Sequence, residues 1–212
     1  VTVDYTGGGT FTLGNSDKSA ALTPAASADA TLKISSGTLS LFSGNVNWSQ
    51  KLVMGDGTTL TVQDGPAVSG YYNYDATSIN GDGFTFSGAA TFGTGVNLTT
   101  QYGKNIKFTG VLTAASGFSI SGTDSEYTYY TLTGTENQIG GTIAITRNST
   151  SLGINASGSL GTAAVTTSSG SQYLTYYGTA GEAADVIDNS ITGAGNFVAQ
   201  SGWVHLSENV AL

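Results

Sequence analysis

The sequence predicts an all-β fold, and within that class a parallel β-helix, on the strength of three observations. The chain of 212 residues contains 31 Gly, 32 Thr and 25 Ser but only 2 Pro, and this composition is rich in turn formers and poor in helix formers. Apolar and polar residues alternate in short triplets, which is the period of half-buried strands. Several triplets recur at intervals of about 22 residues, and such a recurrence indicates stacked structural units.

The triplets are bounded by Gly, Asn, Asp or Ser, residues that favour turns. They begin at Phe11, Leu32, Leu39, Leu60, Phe84, Ile106, Phe118, Tyr127, Ile143 and Val204. Strands that lie about 21 to 24 residues apart are expected to stack on one another. The pairs with this spacing are Phe11 with Leu32, Leu39 with Leu60, Leu60 with Phe84, Phe84 with Ile106, Ile106 with Tyr127, and Ile143 with Val165.

An antiparallel sandwich is the other all-β arrangement to consider. It would place a strand about every 8–12 residues and join neighbouring strands by tight two-residue hairpins. The turns are irregular Gly, Asn and Ser stretches rather than Asn-Gly or Asp-Gly two-residue hairpins repeated from strand to strand, so the solenoid is favoured. We expect residues 1–212 to form a single domain, from which residues 17–29, 65–77 and 172–189 protrude as loops.

Charge and cysteine content restrict the partners and the chemistry. Six Lys and Arg against 14 Asp and Glu give a net charge of −8, whereas binding to nucleic acid needs a basic face. Without Cys there are neither disulfides nor thiolate metal ligands, and His205 is the only histidine. No apolar run approaches the roughly 18 residues that a membrane-spanning helix needs. We therefore expect no nucleic-acid partner, no membrane insertion, no metal and no cofactor.

Four ordered elements in residues 137–209 carry a resemblance to a known repeat. They are GGTIAI at residues 140–145, GSLGTAAVT at 158–166, ITGAG at 191–195 and GWVHLSEN at 202–209. Together they resemble the passenger-associated transport repeat of bacterial autotransporters, the proteins of type V secretion. The entry motif of that repeat, Asn-x-Tyr-x-Gly-Gly, is matched in part by residues 137–141.

The resemblance implies that the chain is a fragment of a longer autotransporter passenger, folded as a right-handed parallel β-helix. It implies export to the cell surface of a Gram-negative bacterium, or secretion. Such passengers commonly act as adhesins, in virulence, or in self-association and biofilm formation. The partner expected on this basis is a host surface protein, a glycan or another copy of the chain.

A polysaccharide lyase or tailspike-like glycosidase is the main alternative, because β-helices host such enzymes as well. Glycosidases need two carboxylates about 5–9.5 Å apart, and Asp56 and Asp82 each lie between two glycines at similar phases of the repeat. Asp-Gly is also an ordinary turn former, and we favour that interpretation. His205 lies between Val204 and Leu206 and is predicted to face outward. We predict a non-catalytic protein, with a purely structural stalk as the remaining alternative.

Tyrosine is the residue type best suited to a binding surface, because its ring is apolar and its tip is polar. The predicted ligand-binding residues are Tyr71, Tyr72 and Tyr74, which fall in an expected loop. Further tyrosines occur near residues 127–130 and 173–177. Since strands alternate, one ring of the pair Tyr129 and Tyr130 is predicted to point inward and the other outward.

Overall fold

The computed structural model of the chain confirms the predicted all-β, parallel solenoid. It describes residues 1–14, 29–42, 46–63, 83–100, 105–122, 128–178 and 185–212. Within these ranges every strand pairing is parallel. The single helical element there is one 3-10 turn at Ser157–Leu160, and none of the described residues forms a helix that is long and apolar enough to cross a membrane.

Successive turns of the chain contribute strands to three parallel sheets. The first sheet has six strands: β1 (Thr2–Tyr5), β3 (Thr31–Ile34), β6 (Lys51–Met54), β9 (Ala90–Phe92), β12 (Leu112–Ala114) and β15 (Gln138–Ile139). The second sheet has nine: β2 (Thr10–Leu13), β4 (Thr38–Phe42), β7 (Thr59–Gln63), β10 (Asn97–Thr100), β13 (Gly117–Ser121), β16 (Thr142–Ile145), β18 (Ala164–Thr167), β21 (Ile191–Gly193) and β24 (Val210–Ala211).

The third sheet carries the candidate site described below. Its seven strands are β5 (Val46–Trp48), β8 (Gly83–Phe86), β11 (Asn105–Phe108), β14 (Thr128–Leu132), β17 (Thr150–Ile154), β19 (Gln172–Tyr177) and β22 (Asn196–Ser201). A fourth, two-stranded sheet pairs β20 (Asp185–Ile187) with β23 (Val204–Leu206). Strands on one face therefore stack as equivalent positions of successive turns.

The core lies inside the solenoid and is filled by columns of apolar side chains. In the second sheet Leu39, Leu60, Leu98, Ile120 and Ile145 follow one another in register, and each is at most 1% exposed. Each such side chain contributes about 1.5–3 kcal/mol through burial. Inward apolar residues alternate with outward polar ones, as the triplets predict.

Aromatic rings form a second kind of column beneath the third sheet. The rings of Phe86 and Phe108 stack with centroids 5.0 Å apart, and Phe92 meets Phe108 edge-on at 5.5 Å. Such aromatic pairs are stabilising beyond the area they bury. The chain has no cysteine and hence no disulfides, and a continuous apolar core along the stack stabilises it instead.

Three of the predicted stacking pairs are confirmed by the strand register, and these are Leu39 with Leu60, Phe84 with Ile106, and Ile143 with Val165. Two others are wrong. Phe11 pairs with Leu39 rather than Leu32, and Leu60 pairs with Leu98 rather than Phe84. The reason is that strands of all three sheets alternate between apolar and polar residues. The pattern of a triplet therefore does not show to which of the three sheets its strand belongs.

The remaining predicted pair is also shifted, because the residue opposite Ile106 is Tyr130, and Tyr127 lies outside the described residues. Of the predicted loops, 65–77 and nearly all of 17–29 also lie outside them. The loop predicted at 172–189 is wrong in part, because β19 and β20 both lie in this interval. Tyr173 and Tyr177 point outward on β19, so the sequence here does not alternate between apolar and polar residues as the other strands do. Its inward residues are nevertheless buried.

Candidate ligand-binding face on the third sheet

The outer side of the third sheet presents two columns of side chains. We call the first the tyrosine ladder, and in register it consists of Asn105, Tyr129, Ser151, Tyr173 and Asn196. We call the second the threonine ladder, and it consists of Lys107, Thr131, Gly153, Thr175 and Val198. Both face outward because their strand neighbours, such as Ile106, Leu152 and Leu174, are buried in the core. The columns run along the solenoid axis.

Three half-exposed tyrosines form the most aromatic part of this surface, and we call Tyr129, Tyr173 and Tyr177 together the tyrosine face. Tyr129 and Tyr173 both flank Ser151 in register. They are therefore two strand spacings apart, roughly 10 Å. The face is built from β14 and β19, which are not neighbours in the sheet, with β17 between them.

Gly153 makes room for the third ring. A Cβ atom placed on Gly153 would lie 3.1 Å from Cε2 of Tyr177 and 3.6 Å from Oγ1 of Thr131. The Tyr177 ring therefore lies across the outer side of β17, in the space that a side chain at Gly153 would occupy. Glycine weakens a strand interior and often marks a close approach by another group, and here that group is the Tyr177 ring.

Hydroxyl groups form the floor between the rings. Ser151 and Thr175 are only 5% and 6% exposed although they point outward, and their hydroxyls lie 3.1 Å apart in a hydrogen bond. Thr131, 2% exposed, donates to Oδ1 of Asn105 at 3.3 Å. Because these groups are bonded to each other, the floor is fixed before any ligand arrives. The tyrosine rings above these buried hydroxyls can stack on a flat ligand, and the hydrogen-bonded hydroxyls support the rings from below.

The Tyr177 phenol lies close enough to Tyr129 to interact with it electrostatically. Burial raises the pKa of the Tyr177 phenol, and the neighbouring Tyr129 raises this pKa further. The Tyr177 phenol therefore stays protonated at neutral pH and can donate as well as accept hydrogen bonds. Lys107 is the one charged side chain in the two ladders, and it is half-exposed.

Sequence reasoning placed the ligand elsewhere. Tyr71, Tyr72 and Tyr74 lie outside the described residues. The prediction that Tyr129 and Tyr130 alternate is confirmed, since Tyr130 is 2% exposed and Tyr129 is half-exposed. The signal for the tyrosine face is present in the sequence, because Ser151 and Tyr173 follow Tyr129 at successive intervals of 22 residues.

The residues considered for catalysis are not brought together into an active site among the described residues. Oδ1 of Asp56 accepts a hydrogen bond from the backbone N–H of Thr94 at 2.7 Å, so this carboxylate joins two successive turns. Asp82 lies outside the described residues. His205 is exposed on β23 and pairs with Val186, which confirms its outward direction. Among the described residues no three His, Cys, Asp or Glu side chains converge as metal ligands would.

The geometry defines the class of the protein as a parallel β-solenoid with an aromatic outer face on its third sheet. Comparison of the chain with protein-family models, with curated proteins and with solved structures gives no match. The four elements that resemble the transport repeat fall on β16, on the 3-10 turn and β18, on β21, and on β23.

Proposed function

We propose that the chain is a non-catalytic binding segment of an autotransporter passenger and that it acts as an adhesin through its solenoid surface. The observation that carries this proposal is the tyrosine face. Its three half-exposed rings lie on a sheet whose inner side is fully packed. Rigid aromatic residues provide contact area at a low cost in conformational entropy, so they are effective anchors for a ligand.

The cellular setting that we propose is the surface of a Gram-negative bacterium, or the medium after secretion. The resemblance of residues 137–209 to the transport repeat supports this setting. A chain without cysteine also suits export in an unfolded state, because it forms no crosslink before it folds. The proposed partner is a host surface protein, a glycan or a second copy of the chain.

The test is a binding screen against immobilised glycans and matrix proteins. The wild-type chain is compared with the triple variant Tyr129→Ala, Tyr173→Ala and Tyr177→Ala. We expect the wild type to retain a ligand and the triple variant to lose at least about tenfold in affinity, because each aromatic contact contributes about 0.5–1.5 kcal/mol. Because the Tyr177 ring packs across β17, the variant is expected to have a lower urea unfolding midpoint, so binding is compared in buffer without urea, where circular dichroism shows that both proteins are folded.

Two further variants make the screen specific. Trp203→Ala removes an aromatic side chain that is 71% exposed and belongs to neither ladder, and it should leave binding unchanged. Tyr71→Ala, Tyr72→Ala and Tyr74→Ala together test the loop predicted from sequence. Loss of binding in the loop variant alone would move the site to that loop, whereas no ligand for the wild type would favour a structural stalk.

Catalysis is tested on the same ligands. Incubation with polysaccharides is expected to release neither reducing nor unsaturated sugar ends. Release that disappears in Asp56→Asn would contradict the non-catalytic assignment, since the carboxylate would then have a role besides its bond to Thr94.

A further inference from the structure

We infer that the tyrosine face binds a linear acidic polysaccharide lengthwise, with the sugar chain parallel to the solenoid axis. This inference rests on the proposed function, because it names the ligand class of the same site. It is drawn from the spacing of the rings, from the exposed amide of Asn196 beside them and from the position of Lys107.

The spacing favours an extended chain along the axis. Tyr129 and Tyr173 lie in one column, two strand spacings apart, which is roughly 10 Å. This distance is comparable to that between alternate sugar rings in an extended polysaccharide. A ligand lying across the sheet would meet Tyr129 or Tyr173 but not both, whereas a ligand along the column stacks on both.

One exposed polar group of the tyrosine ladder can meet the sugar hydroxyls that would face the sheet. It is not Ser151, which lies between Tyr129 and Tyr173 but is only 5% exposed and bonded to Thr175. Asn196 follows Tyr173 on the next strand and is exposed. Its side-chain N–H donates to the carbonyl oxygen of Gly170 at 2.6 Å, which fixes the direction of the amide. The ladder therefore ends in one exposed, neutral amide beyond the second ring.

Charge selects an acidic polymer over a neutral one. Lys107 lies on β11 beside Thr131 and is therefore a diagonal neighbour of Tyr129. In the part of the chain that the structure describes, its ammonium group has no ion-pair partner, and neither outer ladder contains a carboxylate. A carboxylate or sulfate on the sugar stacked at Tyr129 would lie close to this ammonium group.

The net charge of −8 opposes an anionic ligand, and the two effects differ in range. Charges more than about 8–10 Å away are largely screened at physiological ionic strength. The 14 carboxylates are dispersed along the sequence, while the Lys107 ammonium acts at contact distance. Physiological salt therefore weakens the repulsion from distant carboxylates more than the contact attraction to Lys107.

The experiment measures affinity by calorimetry for two length series, uronic-acid oligosaccharides and neutral gluco-oligosaccharides. Affinity for the uronic-acid series should rise with length until the ligand spans both rings, and then level off. Tyr129→Ala and Tyr173→Ala should each weaken binding about 3- to 10-fold and move this plateau to shorter ligands. Tyr173→Phe keeps the ring and should retain the length dependence.

The charge is tested with Lys107→Gln. This variant should lose about 2- to 5-fold in affinity for the acidic series, the size expected for an exposed ion pair, and nothing for the neutral series. Lys51→Gln, at an exposed lysine on the first sheet, is the matched control and should bind like the wild type.

The outcomes separate this inference from the proposed function. Equal affinity for acidic and neutral series, unchanged in Lys107→Gln, would overturn the acidic ligand but leave a glycan-binding face. A plateau at a single sugar would overturn lengthwise binding. Binding of a protein or of a second copy through the same tyrosines, with no saccharide bound, would overturn the ligand class while the binding function stands.

Discussion

The phenol of Tyr130 is the clearest case in which one residue sets a property of the protein. The side chain is 2% exposed, and its hydroxyl lies within hydrogen-bonding reach of the carbonyl oxygens of Leu98, at 3.1 Å, and of Ser121. Burial is the dominant effect and raises the pKa of this phenol well above its ordinary value. The protein therefore holds Tyr130 in its neutral form, and ionisation opposes folding.

This gives the first prediction, an alkaline loss of stability. Because the folded pKa exceeds the unfolded one, the contribution of Tyr130 is fully present below about pH 10 and is lost as pH rises toward the folded pKa. Above pH 10 the free energy of unfolding should fall by up to about 1.4 kcal/mol per pH unit from this group alone. Tyr130→Phe should remove that slope, as measured by urea midpoints between about pH 8 and pH 11.

The comparison must use slopes rather than single values, because Tyr130→Phe also removes a hydrogen bond worth about 1 kcal/mol at neutral pH. Tyr177 also has a raised pKa, so some alkaline loss should persist in the variant. Tyr129→Phe is the matched outward control. Parallel pH profiles for wild type and Tyr130→Phe would contradict the prediction.

At the scale of single strands, the turns between sheets depend on glycines for two different reasons. Gly57 has a φ of +66° and nothing within 4 Å of the position its Cβ would take, so it is needed for conformation alone. Gly117 has a φ of +74°, and a Cβ there would collide with the backbone carbonyl of Thr142 on the next strand. The second glycine thus allows β13 and β16 to approach each other.

The second prediction compares these two positions. Gly57→Ala should lower the free energy of unfolding by about 1–2 kcal/mol, the cost of a left-handed residue with a side chain. Gly117→Ala should cost about 1–3 kcal/mol more, because the added methyl group must be accommodated by a backbone shift. Urea unfolding with unchanged m values measures both, and equal losses would show that the close approach to Thr142 is not limiting.

Strand register also explains which features the sequence could predict. The alternation within a strand is local, so the opposite directions of Tyr129 and Tyr130 and the outward direction of His205 followed from their neighbours alone. Assigning strands to sheets needs the length of every connection, and the predicted pair of Leu60 with Phe84 failed because insertions change the repeat length. The tyrosine face depends on register over three strands and on the small size of Gly153, so it becomes visible only when β14, β17 and β19 are aligned.

At the scale of the whole molecule, each strand is stabilised mainly by the strands directly before and after it in its sheet, as in other repeat architectures. Central strands such as β7, β10 and β13 have two such neighbours, and their inward side chains are buried. In the described chain β1 and β23 have one neighbour each, and most of their side chains are exposed. Local stability should therefore be graded along the solenoid axis.

Amide hydrogen exchange tests this gradient. Amides of β7, β10 and β13 should exchange most slowly, and those of β1 and β23 fastest, because local opening at a strand with one neighbour breaks fewer contacts. Leu98→Ala, which opens a cavity at a side chain only 1% exposed and costs about 2–5 kcal/mol, should reduce protection most in β7 and β13 and least in the distant β19. A uniform change along the chain would instead mean that the solenoid opens as one cooperative unit, with coupling that extends beyond adjacent turns.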